Sequence, residues 1–275
     1  MSELSKTLVE QLLTTQWLGH AYQYLESVES TNDVLKQQIA GGDATHPASG
    51  TVVLTDFQSR GRGRFDRRWE APPGSSLLLS ILLRPEWPSE RSPWLTMLAG
   101  TAIVEAIEEI AQISAALKWP NDIVIQHNDE WHKVCGILSE GHVTAEQRLA
   151  YAVLGIGINV NIAAADLPIT PMPSTSLAVV AKRPVSRLDL LLALLRRLEQ
   201  LYDEADRGIS PQERWSRYLM TIGRRVEVSQ LNQEKPLVGL AEGTGEWGQL
   251  LVRDDQNRLH TIMAGDVTLR MHGDS

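Results

Sequence analysis

Residues 51–83 read TVVLTDFQSRGRGRFDRRWEAPPGSSLLLSILL, and this stretch indicates how the fold is organised. It opens with a β-branched run at 51–55 and closes with Ser75–Leu83, whose apolar residues fall on both faces. A run without alternation is typical of a strand at the centre of a sheet that is covered on both sides. A long loop between two core strands predicts a functional segment.

The loop at Gln58–Trp69 holds five arginines, two glycines and one aspartate in a protein whose formal net charge is −8. Glycine lets the backbone approach a ligand closely, and arginine offers forked donors suited to phosphate and carboxylate oxygens. A cationic loop on an acidic body predicts a site for small anions, because a surface that coats nucleic acid would make the whole domain basic. The alternative is a solvated charged loop, and the two core strands around it favour the functional interpretation.

The composition predicts a cytoplasmic protein with a substantial core. The 275 residues are 43% hydrophobic, which fits one larger domain and a small one. Cys135 is the single cysteine, so no disulfide forms within the chain, and no Cys/His cluster has zinc spacing. The N-terminus has no basic segment followed by a long apolar one, and the uncharged run at 149–165 contains glycines and asparagines. We therefore expect neither a secretory signal nor a membrane span.

The segments around the loop predict an α+β domain over residues 1–220. Ser92 is a cap with proline after it, and the helix that it opens has one apolar stripe. Another helix follows Ser186. Strands are predicted at 115–117, 123–126, 134–140 and 150–160. Because helices and strands do not alternate regularly, we expect a mixed, mainly antiparallel sheet and not a dinucleotide-binding fold.

Residues 221–275 have a different pattern and predict a separate, small domain. Glycines separate short alternating runs at 225–228, 249–253, 259–263 and 265–269. Several short strands with glycine turns are typical of a small β-barrel.

Two further motifs carry charge. Lys118-Trp119-Pro120-Asn121-Asp122 lies between two predicted strands, where a lysine can neutralise a phosphate and a carboxylate beside an amide can hold Mg²⁺ carried by phosphates. The same residues also suit an ordinary turn. Lys133 enters a strand that Gly136 keeps open to close approach, with a snorkelling strand-end lysine as the alternative. We interpret Gly155–Val160 as a crowded strand with Asn159 facing the site.

Taken in order, the motifs resemble the biotin–protein ligases along nearly the whole chain. The matching segments are Ser30-Thr31-Asn32, the loop at Gln58–Trp69, Lys118-Trp119-Pro120-Asn121-Asp122, Lys133 ahead of Gly136-Ile137-Leu138, and Gly157-Ile158-Asn159. The resemblance implies a catalytic domain of the class II synthetase type followed by an SH3-like β-barrel. It also implies a two-step reaction: biotin and MgATP give biotinyl-5′-adenylate, and a lysine of a biotin carboxyl carrier protein then attacks the adenylate.

The resemblance assigns roles to individual residues. The biotin-binding residues would be Ser30, Thr31, Asn32, Gln58, Gly61, Arg62, Gly63, Arg64, Lys133 and Gly136. The ATP-binding residues would be Arg64, Arg67, Trp69, Lys118, Asn121, Asp122 and Asn159. Lys133, Arg62, Arg64 and Arg67 would carry the catalytic charge, and Asp122 would contact Mg²⁺ through the phosphates. The loop would close over both substrates and protect the anhydride from water.

The sequence departs from the family pattern at two places. Asp66 stands where family members commonly have glycine, and we expect it to pair with Arg67, Arg68 or Arg60 and point away from ATP. The segment at 126–132 makes a longer, polar hairpin before Lys133, which we expect to leave that lysine in place.

Two rival classes follow from the resemblance. A lipoate or octanoate ligase or transferase shares the fold superfamily but lacks an arginine-glycine loop of this form. A repressor that binds DNA would need a winged helix-turn-helix domain, and only 28 residues precede Glu29, so we expect no specific DNA binding. A homodimer through the central sheet is a further expectation of the family.

Overall fold

The computed structural model describes residues 3–41, 47–65, 67–230 and 235–269. The helices of this part are α1 (Lys6–Leu12), α2 (Thr31–Ala40), α3 (Ser92–Ala111), α4 (Leu177–Ala181), α5 (Arg187–Asp206) and α6 (Gln212–Ser216). The first seven strands are β1 (Tyr22–Val28), β2 (Val52–Gln58), β3 (Ser76–Leu83), β4 (Ala116–Lys118), β5 (Asp122–His127), β6 (Glu130–Val143) and β7 (Leu149–Asn159). The remaining strands are β8 (Arg225–Ser229), β9 (Leu237–Thr244), β10 (Leu250–Asp254), β11 (Leu259–Ile262) and β12 (Asp266–Leu269).

The first seven strands form one sheet in the order β1-β2-β3-β7-β6-β5-β4. Strands β1 and β2 are parallel, and every other neighbouring pair in this sheet is antiparallel. The predicted α+β fold with a mixed, mainly antiparallel sheet is confirmed. The loop at Gln58–Trp69 leaves β2 and returns to β3, so it lies beside the middle of the sheet.

Strand β3 is buried along its whole length because helices cover both faces of the sheet. Helices α3 and α5 pack together against one face. Helix α2 covers the other face, where Leu35 contacts Val53, Leu82 and Val153. Burial of each such side chain contributes about 1.5–3 kcal/mol, which fixes the position of α2 and of the residues at its N-terminus.

Strands β8 to β12 form a second, antiparallel sheet in the order β11-β10-β9-β8-β12. It packs against the first sheet's helices and loops: the Trp119 Nε1 donates to Gly248 O at 2.8 Å, and the rings of Trp94 and Trp247 lie 5.7 Å apart. The structure thereby confirms a small antiparallel sheet at the C-terminal end of the described chain. The division of the chain into residues 1–220 and 221–275 stays a prediction.

Candidate functional site

The floor of the candidate site is a patch of sheet in which three glycines leave the backbone uncovered by side chains of their own. Gly136 of β6 pairs with Gly157 of β7, and Gly155 of β7 pairs with Ser80 of β3. Because glycine has no Cβ, a flat group can lie directly on the backbone at these positions.

The Trp69 indole occupies part of this floor. A Cβ at Gly157 would lie 2.6 Å from the indole and a Cβ at Gly136 would lie 3.0 Å from it, so the ring position requires glycine in both strands. The ammonium of Lys133 lies 5.5 Å from the ring centroid on the same patch. Trp69 therefore forms a flat apolar wall beside a cation, and its Nε1 finds no hydrogen-bond partner among the described residues.

The opposite wall is polar and comes from the start of α2. Gln58 Oε1 accepts the backbone N–H of Thr31 at 2.8 Å. The Oγ atoms of Thr31 and Ser80 lie 2.6 Å apart, and Ser80 donates to the side-chain oxygen of Asn32. Ser30 precedes the first helical residue and lines the same cavity. Several hydroxyl and amide groups lie together here, and such a wall suits a ligand that carries both hydrogen-bond donors and acceptors.

Backbone hydrogen bonds fold the cationic loop into a compact turn. The Trp69 N–H donates to Gly61 O at 3.0 Å, and the Gly63 N–H donates to Arg67 O at 2.7 Å. A Cβ at Gly61 would lie 2.3 Å from the Trp69 carbonyl oxygen, so this close approach requires glycine. At the tip, Phe65 has a φ of 56°, and the Arg64 guanidinium lies 4.8 Å above its ring. Asp66 lies outside the described residues.

Carboxylates from distant parts of the chain pair with three of the five arginines of the loop. Arg62 pairs with Asp33 of α2 at 2.5 Å and with Glu140 of β6 at 3.4 Å. Arg60 pairs with Glu29 at 3.3 Å, and Arg67 pairs with Asp266 of β12. The loop is thereby tied to α2, to the main sheet and to the C-terminal sheet.

Arg64 differs from these arginines because it donates hydrogen bonds to neutral oxygens. It donates to Asn121 Oδ1 at 3.0 Å and to Gly265 O at 3.2 Å. Burial lowers the pKa of the Arg64 guanidinium, although nearby Asp266 and Asp122 act in the opposite direction. Arginine remains charged through such a shift, so Arg64 presents a partly desolvated cation that an anionic ligand can neutralise.

Lys118, Asp122 and Lys133 form a second charged group next to the floor. The Lys133 ammonium pairs with Asp122 Oδ1 at 2.6 Å. Burial lowers the pKa of Lys118, and Asp122 offsets this effect only in part because Lys133 acts in the same direction as burial. Asn121 holds the turn between β4 and β5 in place, since its Nδ2 donates to Ile137 O at 2.7 Å.

The polar hairpin before Lys133 turns at Asn128 and Asp129, which both have positive φ. A register shift in β5 pairs Ile123 with Cys135 and Val124 with Lys133. The Lys133 side chain reaches the floor glycines in this register: a Cβ at Gly136 would lie 3.4 Å from its Nζ. The extra length of the hairpin therefore leaves Lys133 beside the site, as expected.

The structure brings most of the sequence-predicted site residues together. One cavity is lined by Ser30, Thr31, Asn32, Gln58, Arg62, Trp69, Asn121 and Gly136. Arg64 and Asn121 also line an adjoining cavity that extends to the C-terminal sheet. Gly61 and Gly63 contribute backbone to the loop, while Lys118, Asp122 and Lys133 lie beside the cavity.

Two predicted residues point elsewhere in this conformation. Arg67 contacts Asp266 of the C-terminal sheet. Asn159 is buried at the end of β7, where its Nδ2 donates to Thr175 O at 3.1 Å.

Sequence reasoning did not identify Ser80, Glu140, Asp33 or Asp266, which hold the predicted residues in place. Ser80 stands in an apolar strand as a polar residue directed at α2, and that interruption was the available signal. The two aspartates and the glutamate carry no sequence signal, since only the fold brings them to the loop.

The described residues contain no group of three or more His, Cys, Asp or Glu side chains that could hold a metal ion. Asp122 is a single carboxylate and is already paired with Lys133. The residues present therefore do not fit a resident magnesium site. In the same described ranges, no helix is long and apolar enough to cross a membrane.

A glycine floor, a polar wall and a cationic loop on a mixed sheet form a site suited to a small anionic ligand. The model of the Biotin/lipoate A/B protein ligase family matches residues 24–159, which include α2, the loop and the strands of the floor.

Individual relatives define the class further. The chain is 33% identical over 270 residues to the Bifunctional ligase/repressor BirA of Bacillus subtilis, covering 97% of this chain and 79% of that protein. It is 30% identical over 272 residues to the Biotin–[acetyl-CoA-carboxylase] ligase of Mycobacterium tuberculosis, covering 95% and 94%. The chain belongs to the biotin–protein ligases of this family, and it is a biotin ligase enzyme.

A solved structure supports the same assignment. The biotin protein ligase from Aquifex aeolicus in complex with biotin and ATP is 28% identical and superposes with a TM-score of 0.72, covering 91% of this chain and 99% of that one.

Proposed function

We propose that the chain activates biotin with ATP as biotinyl-5′-adenylate and transfers the biotinyl group to a lysine of a biotin carboxyl carrier protein. The observation that carries this proposal is one cavity lined by the hydroxyl and amide groups of α2 on one side and by the cationic loop on the other. A cyclic urea needs donors and acceptors, and a carboxylate next to a phosphate needs cations. The Aquifex aeolicus relative of known structure binds biotin and ATP together, which supports the assignment.

The polar wall would hold the ureido ring. Thr31 and Gln58 supply a hydroxyl and an amide at the cavity, with Ser30 and Asn32 beside them. The thioether ring and the aliphatic chain of biotin would lie in the cavity beside the Trp69 indole, which covers Gly136 and Gly157 of the floor. Gly61 and Gly63 would close the loop backbone over the bound acid.

The cations would hold the two anions in contact. Lys133 and Arg62 lie beside the cavity, and Arg64 donates to the neutral side chain of Asn121. These residues would oppose the repulsion between a carboxylate and a triphosphate and would stabilise charge on the α-phosphate as the reaction proceeds. Arg67, Lys118, Asn121, Asp122 and Asn159 would contact the nucleotide, and Trp69 would lie against its base.

In the first step, a carboxylate oxygen of biotin attacks the α-phosphorus of ATP. The bond from that phosphorus to the bridging oxygen breaks, and pyrophosphate leaves. In the second step, the neutral amine of the carrier lysine attacks the carbonyl carbon of the adenylate. The C–O bond to the phosphate breaks, AMP leaves, and the nitrogen loses one proton as the amide forms.

Magnesium would enter as part of the MgATP substrate. Because the described residues do not fit a resident magnesium site, the phosphates and water would supply most of the oxygen ligands. The protein would then contribute the Asp122 carboxylate, which lies beside Lys133, to the binding of MgATP.

Pyrophosphate exchange into ATP, measured separately with biotin, lipoate and octanoate, tests the first step. We expect exchange with biotin and none above background with the other two acids, because neither has a ureido group for the polar wall. Mass spectrometry of a biotin carrier domain, incubated with biotin, MgATP and the protein, tests the second step. Exchange with lipoate or octanoate but not with biotin would assign the rival activity.

A further inference from the structure

Four polar side chains form a hydrogen-bonded chain from the cavity to β6: Thr31, Ser80, Asn32 and Glu140. The sequence predicted no role for Ser80 or Glu140. Thr31 and Ser80 Oγ atoms lie 2.6 Å apart, and Ser80 Oγ lies 2.5 Å from Asn32 Oδ1. Asn32 Nδ2 donates to Glu140 Oε2 at 2.6 Å. Thr31, Asn32 and Ser80 are all buried, so water does not compete along the chain.

The far end of the chain can only accept hydrogen bonds. Glu140 also accepts from Lys36 at 2.5 Å and pairs with Arg62 at 3.4 Å. Burial acts to raise its pKa, but the bonds from Lys36 and Asn32 and the charge of Arg62 outweigh burial and lower the pKa below its usual range. Glu140 is therefore ionised at neutral pH and offers no proton to its neighbours.

This acceptor fixes the orientation of the Asn32 amide. An ionised carboxylate 2.6 Å away requires the NH₂ group of Asn32 on that side, so the amide oxygen must face Ser80. The space for this orientation comes from Gly155, since a Cβ there would lie 2.5 Å from the Asn32 oxygen.

The Asn32 oxygen in turn fixes the two hydroxyl protons. An amide oxygen only accepts, so the single proton of Ser80 points to Asn32. The 2.6 Å contact between the Ser80 and Thr31 oxygens then takes its proton from Thr31. Gln58 Oε1, at 3.1 Å from the Thr31 hydroxyl, receives the backbone N–H of Thr31 at 2.8 Å instead.

We propose that Glu140 is a positioning residue that sets the direction of this chain, so that Thr31 Oγ1 faces the cavity as a hydrogen-bond acceptor for an N–H of the ureido ring. The inference rests on the proposed function, because it takes biotin as the ligand. A free hydroxyl could rotate and donate to a ring oxygen just as well. A hydroxyl with a fixed proton accepts from N–H and repels an oxygen at the same place.

Cyclic carbamate analogues of biotin, in which one or the other ureido N–H is replaced by oxygen, test the proposal. The measured quantity is the ratio of dissociation constants, analogue to biotin, by calorimetry without ATP. We expect at least about a tenfold ratio for one of the two analogues in the unaltered protein, because a site that accepts from N–H is left facing an oxygen lone pair. Ser80→Ala and Glu140→Leu should reduce that ratio to below about threefold, since Thr31 can then turn its proton to the ligand.

Ser76→Ala is the matched control. Ser76 lies on the same strand, is fully buried, and its hydroxyl finds no partner among the described residues. Its removal should leave the ratio as in the unaltered protein. A large ratio that survives in both Ser80→Ala and Glu140→Leu would overturn the proposal, as would the absence of discrimination in the unaltered protein. Failure to bind biotin at all would instead contradict the proposed function.

Discussion

Arg67 of the cationic loop pairs with Asp266 at the start of β12, so the C-terminal sheet holds the loop directly. Just before that strand, Gly265 O accepts from Arg64 at 3.2 Å. Both loop arginines therefore depend on a turn that lies some two hundred residues away along the chain. In this conformation, contacts with the C-terminal part of the chain hold the loop in place beside the site.

Removal of the ion pair between Arg67 and Asp266 should release the adenylate. Asp266→Asn eliminates the charge that holds Arg67, and a partly exposed ion pair contributes only about 0–1 kcal/mol, so the fold should remain stable. We expect a severalfold faster release of biotinyl-adenylate, measured as biotinylation of lysines on an unrelated bystander protein. Asp255→Asn is the control, because Asp255 pairs with the exposed Arg225 on the same sheet. Equal bystander labelling by both variants would argue against a role for Asp266 in holding the loop.

Adenylate synthesis should depend strongly on Lys133. Lys133→Ala removes the ammonium that lies beside Trp69 and Asp122, and it leaves Asp122 unpaired close to the incoming phosphates. Loss of one preorganised charge at a reacting centre typically costs about 10²–10³ in rate, so single-turnover synthesis should fall by that order. Lys182→Ala, at an exposed helix end, serves as the control. A near-normal single-turnover rate in Lys133→Ala would remove the lysine from the proposed chemistry.

Arg62 should act on the acid and Arg64 on the nucleotide. Arg62 lies between Asp33 and Glu140 at the wall of α2, whereas Arg64 lies against Asn121. We expect Arg62→Ala to raise the KM for biotin and Arg64→Ala to raise the KM for ATP, each by about tenfold or more. Arg60→Ala is the control, since its pair with Glu29 is exposed. The same pattern of KM changes in both variants would contradict this division.

The glycine floor should be intolerant of a methyl group. In Gly157→Ala the added Cβ would lie 2.6 Å from the Trp69 indole, so the ring must move at a cost of about 1–3 kcal/mol. We expect a shifted tryptophan emission spectrum and a raised KM for ATP. Gly243→Ala provides the comparison, because a Cβ at that strand glycine meets nothing within 4 Å. An unchanged spectrum and KM in Gly157→Ala would show that the indole does not depend on the floor.

The sequence predicted the centre of the fold better than its edges. The apolar run of β3 and the stripe of α3 gave unambiguous patterns, and the structure confirms both elements. Strand β1 was not predicted. It lies at the edge of the sheet and buries only one of its seven residues, so its Tyr-Gln-Tyr-Leu-Glu-Ser-Val sequence has no strong apolar pattern. Strand β9 was also missed because Gly239 and Gly243 suggested turns. Gly239 instead lies within the strand, where a Cβ would lie 2.3 Å from Arg253 O.

The site shows the same limit. Residues that bear motifs, such as Gln58, Trp69 and Asn121, were predicted and line one cavity. The carboxylates that hold the loop come from α2, β6 and β12, and their contacts with the loop depend on packing between distant segments. The start of α3 also differs from the prediction. Ser92 was predicted as the cap of this helix, but it is the first helical residue, and Arg91 holds the cap position.

Cys135 should report on opening of the floor. It is fully buried beside Gly136 and pairs with Ile158, and burial raises the pKa of its thiol. The neutral thiol therefore contributes fully to stability below the usual thiol pKa of about 8.5, and that contribution is lost as the pH rises toward the raised folded-state value. At neutral pH we expect slow, single-site labelling by an aromatic disulfide reagent and rapid labelling after unfolding in guanidinium.

Biotin and ATP together should slow this labelling further, because ligands that hold the loop and Trp69 on the floor stabilise the closed sheet around Gly136. The rate of thiolate release with and without the two substrates measures the effect, and lipoate with ATP is the control mixture. Rapid labelling of the native protein at neutral pH would mean that β6 opens far more readily than its burial indicates. Protection by lipoate equal to that by biotin would place the specificity of the site elsewhere than in the polar wall.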